Sequence, residues 1–537
     1  MSARLRQSGV PLLLVLVLAS GCGTTVQGAI PTATSGGADN ALGTGSATGG
    51  ILTGSGGSPA DTATGGGPGS TSGGGAGAPA DSSTGTGASS TGTATGGPLT
   101  DSTGAGVPGG AGESGPGVTA KEVYVGLVHD RNAGALNAAA GASGLTSGDS
   151  QADELAVIDD INKSGGVGGR KLVPVYAEID STSTQTLDQQ YASVCQKFTL
   201  DKRVFVATGP GPESYLDCLS KVGVPILDDD LPVFGRAAFA KYPGFIEQGY
   251  PNVDRLAAYH VDPLVAQKYF TPWNTATGEP AAAGNVHVGV LTYNDKVFSG
   301  AVDSYLIPSL KKQGFDPVVV KVAKNSTASD ISGQAAAVQS AQLTFASRGV
   351  THVLIFEAKA ELGQFFLANA RSQRYYPRYG FNSANGPQAL LSAGLLNAQQ
   401  ANGAVGYGWL PNLDLLPNLN PDNGPYSNDL RRRCAAVMKS HDISFDSSNA
   451  QGIGYIACSS LYLVKVALDR TPQQITQASF LNAVGALAAT FQPAGGLGSR
   501  GQTFRPGRND PQDKAYYMHF AADCGCFRYS GTLQTIP

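Results

Sequence analysis

The chain has little charge and no excess of either sign. Lys and Arg number 36 of 537 residues and Asp and Glu number 40, so the formal net charge is -4. From residue 121 onward, 34 basic and 35 acidic residues remain. A nucleic-acid-binding domain normally presents a strongly basic face. The charge balance therefore excludes nucleic acid as the expected partner.

Residues 31–120 lack Lys, Arg and every aromatic residue, and 29 of these 90 positions are Gly. Such a segment cannot bury enough apolar surface to offset the entropy lost on ordering. We predict a disordered Gly/Ser/Thr-rich tether over residues 23–117, with a reach of roughly 50–60 Å. Residues 118–537 are too many for one ordinary core and suit two lobes of about 200 residues each.

The N-terminus has an apolar run, but it is too short to span a bilayer. Residues 11–18 are apolar, whereas a membrane helix needs about 20 such residues. Arg4 and Arg6 precede the run and small residues follow it, which is typical of an export signal. Small residues before Cys22 resemble a bacterial lipoprotein signal, in which that cysteine is lipidated; the alternative is a plain secretory signal. We predict a signal peptide at 1–22 and a lipid anchor at Cys22, on the extracytoplasmic face of the cell membrane.

From residue 118 onward, we expect no other segment to be long and apolar enough to cross a membrane. We therefore expect the protein to be attached to the membrane by lipid only.

The cysteines follow no metal-binding pattern. There is no C-x-x-C motif, and none of the 6 His lies near a Cys at ligand spacing. Without Cys22, an even number of cysteines remains for an oxidising compartment, with 15 possible pairings. The spacing favours three disulfides: Cys195–Cys218, Cys434–Cys458 and Cys524–Cys526. We expect no metal and no cofactor.

Catalytic motifs are also missing. Residues 118–537 contain no G-x-S-x-G, H-E-x-x-H or Walker sequence. His129 and Asp130 form the best catalytic-looking pair, but neighbouring strand residues point to opposite faces. We therefore expect a binding protein and not an enzyme.

Strand and helix patterns alternate along the rest of the chain. Runs rich in β-branched residues predict strands at 123–128, 171–177, 204–207, 224–227, 286–291, 317–322 and 352–356. Apolar spacing predicts helices at 153–161, 300–313, 330–348 and 361–371. This alternation predicts an α/β fold of parallel sheets with helices on both faces, in two doubly wound lobes. A long connection, 241–283, separates the two series.

Glycines at 165–169 follow a predicted helix and precede a strand. A dinucleotide-binding loop has the reverse order. We interpret them as a helix stop and a tight turn.

Residues 161–170 read I-N-x-x-G-G-V-x-G-R, and they are followed by 286–314, 352–380 and 403–409 (GAVGYGW). In this order, these segments resemble type I periplasmic solute-binding proteins of the leucine/isoleucine/valine-binding branch. The resemblance implies two Rossmann-like lobes joined by a hinge, the first at 118–245 and the second from about 284, with later segments crossing back. It also implies a small-molecule solute bound between the lobes and delivered to an ABC transporter permease.

In doubly wound sheets, ligands bind beyond the carboxyl ends of the strands. The family holds a ligand carboxylate at the third loop, here GPGPESY, with Ser214 as the hydroxyl and Tyr215 as an aromatic neighbour. The alternative for Ser214 is a helix N-cap.

Other loops depart from the family pattern. The second-lobe loop at Asn382 has no carboxylate, Phe298 lacks a hydroxyl, and Asp229 lies in an acidic fourth loop. We expect Glu357 to supply the missing acid. The other residues predicted to bind the ligand are Asp229, Phe298, Asn382 and Trp409. A small polar solute, amino-acid-like or amide-like, fits better than a branched-chain amino acid. The alternative is a ligand-sensing extracellular receptor of the same fold, without transport.

Overall fold

The computed structural model describes residues 114–133, 148–209, 211–228, 233–325, 327, 330–358, 360–445, 448–471, 473–487, 490–497 and 509–537. The predicted signal peptide, Cys22, nearly all of the tether and Asp229 lie outside the described residues.

The first sheet has five parallel strands in the order β2-β1-β3-β4-β5. These are β1 (Glu122–Arg131), β2 (Lys171–Asp180), β3 (Val206–Thr208), β4 (Ile226–Asp228) and β5 (Phe245–Glu247). The helices between them are α1 (Ser150–Lys163), α2 (Leu187–Gln196, extended by a π-helical turn at Lys197–Asp201), α3 (Glu213–Lys221) and α4 (Arg236–Lys241). The predicted strand–helix alternation is confirmed here.

Helix α1 begins and ends where its sequence dictates. The Asp149 side chain caps it by accepting a hydrogen bond from the Ala152 N–H at 3.0 Å. After the helix, Gly166 has φ +73°, and a Cβ there would lie 2.0 Å from the Arg170 carbonyl oxygen. Only glycine fits that turn, which leads directly into β2. The interpretation as a helix stop is confirmed.

The second sheet has seven strands in the order β14-β13-β12-β11-β10-β8-β9. These are β8 (Val288–Tyr293), β9 (Val318–Val322), β10 (His352–Phe356), β11 (Arg378–Asn382), β12 (Val405–Gly408), β13 (Lys514–Ala521) and β14 (Cys526–Thr535). Strand β13 pairs antiparallel with both β12 and β14. The expectation of parallel sheets was wrong at this edge, because the short turn between β13 and β14 can only join antiparallel strands.

The expected long connection at 241–283 contains secondary structure. It holds α5 (Val253–Tyr259), α6 (Val261–Ala266) and the two-stranded β6 (Trp273–Asn274) and β7 (Glu279–Pro280). Helices α5 and α6 bury Val253, Leu256 and Leu264 in the core of the second sheet. These two helices therefore pack with the second sheet.

The remaining helices complete the two lobes. Beside the second sheet lie α7 (Lys296–Ala301, continued by a π-helical turn at Val302–Leu306), α8 (Ile307–Lys312), α9 (Ile331–Ser347), α10 (Glu361–Ser372), α11 (Pro387–Ser392), α12 (Ala398–Ala401) and α13 (Pro411–Asp414), with 3-10 turns at Ser383–Asn385 and Pro417–Leu419. The chain then returns to the first sheet with α14 (Asp429–Ser440), α15 (Ser448–Leu468) and α16 (Gln477–Leu487).

The chain thus passes between the sheets three times: after β5, after α13 and after α16. Helix α15 packs on the first sheet, where Leu461 and Val464 join Val125 and Ile161 in one core. We expected no segment after residue 118 to be long and apolar enough to span a membrane. That expectation was wrong, because 450–468 meets both criteria. However, 72% of it is buried, as in the core helix of a soluble domain.

Three disulfides join Cys195 to Cys218, Cys434 to Cys458, and Cys524 to Cys526. These are the pairs that the spacing favoured.

Candidate functional site

At the end of β1, His129 and Asp130 bond to different partners. His129 Nε2 lies 2.7 Å from Glu154 Oε2 in α1, and its ring meets the Tyr176 ring edge-on at 4.9 Å. Asp130 Oδ2 accepts a 2.5 Å hydrogen bond from the Ser181 hydroxyl. The two side chains serve opposite faces of the strand and do not form a catalytic pair.

Helix α1 also carries a buried carboxyl group at Asp153, next to Glu154, the partner of His129. Asp153 is 1% exposed, and its Oδ2 has no hydrogen-bond partner among the described residues. Burial, with smaller contributions from Asp149 and Glu154, raises the pKa of Asp153 to about 7. Burial also raises the pKa of Glu154, and its hydrogen bond to His129 opposes part of this shift.

The residues predicted at the third loop point in different directions. Ser214 is exposed in the first turn of α3, and its hydroxyl donates to Asp188 Oδ1 at 2.5 Å. The N-cap position is Pro212, so the N-cap interpretation of Ser214 was wrong. Tyr215 is 1% exposed and packs against the Tyr191 ring at 4.8 Å, inside the lobe. Of this pair, Ser214 is the residue open to a solute.

In the second lobe, Phe298 is buried after β8. Its ring packs 5.1 Å from the Tyr293 ring, and the Nζ of Lys324 lies 5.8 Å from its centre. Its backbone N–H donates to Asp295 Oδ1 at 2.7 Å. The side chain is core and does not face a described cavity.

Glu357 is buried at the start of α10. Its carboxylate accepts hydrogen bonds from the Leu362 N–H at 2.5 Å and the Gly363 N–H at 3.0 Å. Burial raises its pKa well above the usual value, and these two bonds oppose the shift. Free N–H groups at a helix start attract a carboxylate. In this structure Glu357 caps α10, and its expected ligand role stays a prediction.

The loop after β11 has an acidic neighbour that sequence reasoning missed. Asn382 is buried, and its Oδ1 accepts a hydrogen bond from the Ala384 N–H at 2.8 Å. The next residue, Ser383, donates its hydroxyl to Asp414 Oδ2 at 2.5 Å and accepts from the Trp409 N–H at 2.8 Å. Trp409 is itself fully buried.

Asp414 supplies the carboxyl group that the loop sequence lacks. It is fully buried, also accepts from Tyr529, and its Oδ1 has no hydrogen-bond partner among the described residues. Burial raises its pKa to about 7. It lies 31 positions after Ser383, so no local motif signals the pairing.

Two small adjoining cavities, of about 20 and 30 Å³, lie beside the first and third crossings. Both are lined by Tyr250, Leu410, Ile456 and Gly495, and we call the two together the hinge groove. Its lining comes from the first and third crossings, from residues 410–413 and from α15.

The lobes also approach each other after β4. Val233 packs against the core of the second sheet, while Phe234 packs against that of the first. A Cβ on Gly235 would lie 3.7 Å from Val297 Cγ1. The backbone N–H of Arg236 donates to Asp254 Oδ2 in α5 at 2.6 Å, which bonds one lobe to the other.

No family model and no curated protein sequence matches the chain. Among solved structures, it is similar to a fatty acid ABC transporter substrate-binding protein from Thermomonospora curvata. That match has 17% identity, covers 79% of this chain and 94% of the other, and has a TM-score of 0.50. The substrate-binding protein LivJ from Streptococcus pneumoniae, in complex with isoleucine, matches at 15% identity, 77% and 99% coverage and TM-score 0.50.

An extracellular ligand-binding receptor from Rhodopseudomonas palustris HaA2 matches at 15% identity, 76% and 99% coverage and TM-score 0.51. These neighbours define the class: the chain has the periplasmic-binding-protein-like type I fold, with two α/β lobes. At sequence identities this low, the similarity supports the fold alone.

Proposed function

We propose that the chain is an extracytoplasmic, lipid-anchored substrate-binding protein of an ABC importer. It binds a small polar solute, amino-acid-like or amide-like, between its two lobes. The observation that carries the proposal is the fold of two α/β lobes, which is similar to solved substrate-binding proteins over nearly their whole length. Cys22 is the lipid attachment point, and residues 23–117 tether the lobes to the membrane.

The mechanism is closure of the lobes around the solute. Only the difference in solute affinity between open and closed forms drives closure. Ser214 on the first lobe offers an exposed hydroxyl. On the second lobe, Ser383 and Asp414 form a buried polar pair beside the strand ends. A polar solute drawn between them exchanges its water contacts for these groups, and the closed form docks on the permease.

The proposal is tested by thermal unfolding of the protein against amino acids, amides, urea-like compounds, sugars and polyamines. A solute at 100 times its Kd adds about 2.7 kcal/mol to the free energy of unfolding and raises the midpoint by several degrees. Ser214→Ala should weaken a hit about tenfold. Ser220→Ala, on the same helix, is the matched control. If no compound raises the midpoint, the proposal of a small polar solute fails.

The second candidate is a sensing receptor without transport. The similarity to an extracellular ligand-binding receptor favours it. Uptake of the labelled hit by cells that lack the gene separates the two functions. Loss of uptake supports delivery to a permease, whereas unchanged uptake supports sensing.

A further inference from the structure

The first sheet has a basic edge, opposite the edge at which a solute is expected. Strands β2, β1, β3 and β4 are parallel neighbours, so the segments that lead into them meet at their amino-terminal ends. We call this edge the basal surface, and it consists of residues 119–122, 170–171, 199–203 and 219–224. These segments contain six Lys or Arg and two acidic residues. Five of the basic side chains are exposed: Lys121, Lys171, Lys202, Arg203 and Lys221.

Neighbouring acids do not neutralise the basal surface. None of the five exposed cations forms an ion pair with a residue that the structure describes. The acids close to them have other partners: the Tyr124 hydroxyl donates to Glu122, Lys241 pairs with Asp217, and Lys465 pairs with Asp469. The basal surface therefore keeps an excess of positive charge and attracts an anionic partner.

Apolar side chains lie among these charges. Leu200 is 71% exposed, more than any other large apolar side chain that the structure describes, and Val222 is 47% exposed. Exposed aliphatic groups beside Lys and Arg suit an anionic lipid bilayer, because the cations meet the headgroups while the apolar groups enter the acyl boundary. A soluble polyanion would satisfy the charges but would leave the apolar groups in water.

The predicted tether joins the domain at this same surface. A Cβ on Gly117 would lie 2.7 Å from the Arg203 carbonyl oxygen. A Cβ on Gly115 would lie 3.9 Å from the backbone nitrogen of Gln477, whose side chain donates to the Val222 carbonyl oxygen at 3.4 Å. The tether, and with it the predicted lipid anchor, therefore begins beside the exposed cations and the exposed apolar groups.

We propose that the basal surface is a contact site for an anionic phospholipid bilayer, in which its Lys and Arg side chains meet headgroup phosphates and Leu200 and Val222 enter the acyl boundary. The carboxyl ends of the strands then face away from the lipid, so the expected solute site stays open to the outside. The inference goes beyond the proposed function, because it adds a contact through the protein surface to the anchor at Cys22. The choice of a bilayer rests in part on that anchor, and the test leaves the anchor out.

The test measures co-sedimentation of the full-length protein with vesicles over a range of lipid concentrations. Cys22→Ala removes the predicted lipid attachment, so binding reports on the protein itself. We expect binding to phosphatidylcholine vesicles that contain phosphatidylglycerol. Binding to phosphatidylcholine alone, or in high salt, should be weaker by about tenfold or more. Equal binding to both kinds of vesicle, or no binding to either, would overturn the proposal.

Lys202→Glu/Arg203→Glu, in the same Cys22→Ala protein, isolates the basal charges. We expect it to weaken binding to the anionic vesicles by about tenfold or more. Lys311→Glu/Lys312→Glu, at exposed positions of α8, makes the same change in net charge and is the matched control. Any binding through the N-terminus is common to both variants. An equal loss in both would show that net charge, and not the basal surface, attracts the vesicles.

Leu200→Trp reports whether the basal surface enters the bilayer. The native Trp273 and Trp409 are buried. We expect brominated acyl chains to quench the introduced indole, and to leave that of Leu343→Trp, a 49% exposed position in α9, unquenched. Equal quenching in the two variants would overturn the bilayer contact. Binding to soluble polyphosphate as tight as to vesicles, without quenching, would also overturn it and would indicate a soluble polyanion.

A solute found by thermal unfolding should still bind the Lys202→Glu/Arg203→Glu variant, because its expected site lies at the opposite edge of the sheet. The failure of the basal surface and the failure of the solute site are thus separate results.

Discussion

At the scale of single residues, two carboxyl groups have raised pKa values in the folded chain. Asp153 in α1 and Asp414 in α13 are both buried, and burial raises each pKa to about 7. The usual pKa is 3.8. The native state therefore binds more protons than the unfolded chain between about pH 4 and 7. Their contribution to stability is complete below this window and is lost as the pH rises through it.

Asp153→Asn should reduce this pH dependence. Because the amide cannot ionise, the variant should lose less stability than the wild type from pH 4.5 to 7.5, by about 1.4 kcal/mol per pH unit within the window. Urea unfolding at four pH values measures the slopes. Asp316→Asn, at an exposed position, should keep the wild-type slope. Identical slopes for Asp153→Asn and the wild type would contradict the raised pKa.

At the scale of elements, the disulfides differ in what they join. Cys434–Cys458 ties α14 to α15 across 24 positions, whereas Cys524–Cys526 spans 2 positions at the β13–β14 turn. In the chain-entropy account, a disulfide restricts the unfolded chain more when the loop is longer. The bridge between the two helices should therefore stabilise the fold more.

Replacing Cys434 and Cys458 by Ala should lower the free energy of unfolding by about 3–4 kcal/mol. The matched Cys524→Ala/Cys526→Ala variant should lose about 1–2 kcal/mol. Urea unfolding under oxidising conditions compares them. A larger loss in the second variant would show that native-state packing at the turn, and not loop entropy, decides the effect.

The ends of helices and strands were predicted well where the spacing of apolar residues and the residues that end a helix or strand agreed. The predicted strand at 352–356 coincides with β10, and the helix predicted at 361–371 with all but the last residue of α10. The antiparallel edge was missed, although the four-residue turn 522–525 between two apolar runs signals it. Whether Glu357 faces a ligand or the start of α10 depends on the direction of its side chain. The pattern of residues in the sequence does not specify that direction. Asp414 meets Ser383 across 31 positions of the chain, a pairing that local sequence does not signal.

At the scale of the whole molecule, one buried ion pair binds the first crossing to the third. Arg255 Nη1 donates to Asp510 Oδ2 at 2.8 Å, with the side chains 4% and 3% exposed. Asn252 donates to the same carboxylate from the first crossing. Arg255 also donates to the carbonyl oxygens of Ile536 and Pro537. The first and third crossings are therefore bonded to each other and to the end of the chain at this point.

Gly235→Trp should hold the lobes apart. A Cβ there already lies 3.0 Å from Asp254 Oδ2, so a large ring cannot fit while the Arg236–Asp254 hydrogen bond remains. Hydrogen exchange by mass spectrometry should show about tenfold faster exchange in peptides that cover 233–241. Gly300→Trp, where a Cβ meets nothing within 4 Å, should leave them unchanged. Equal protection in both variants would place the moving boundary elsewhere.

The contact between α1 and α15 also determines the order in which the chain can fold. Lys465 donates to the Gly166 carbonyl oxygen, and Gly168 donates to Asp469, across 299 and 301 positions. The first lobe cannot complete its core until α15 has been made, and the second lobe waits longer, for β13 and β14. Such distant pairing gives a high contact order, which slows folding. Neither lobe can therefore finish folding while the chain is still emerging, and both should reach their final form together, after the last strand.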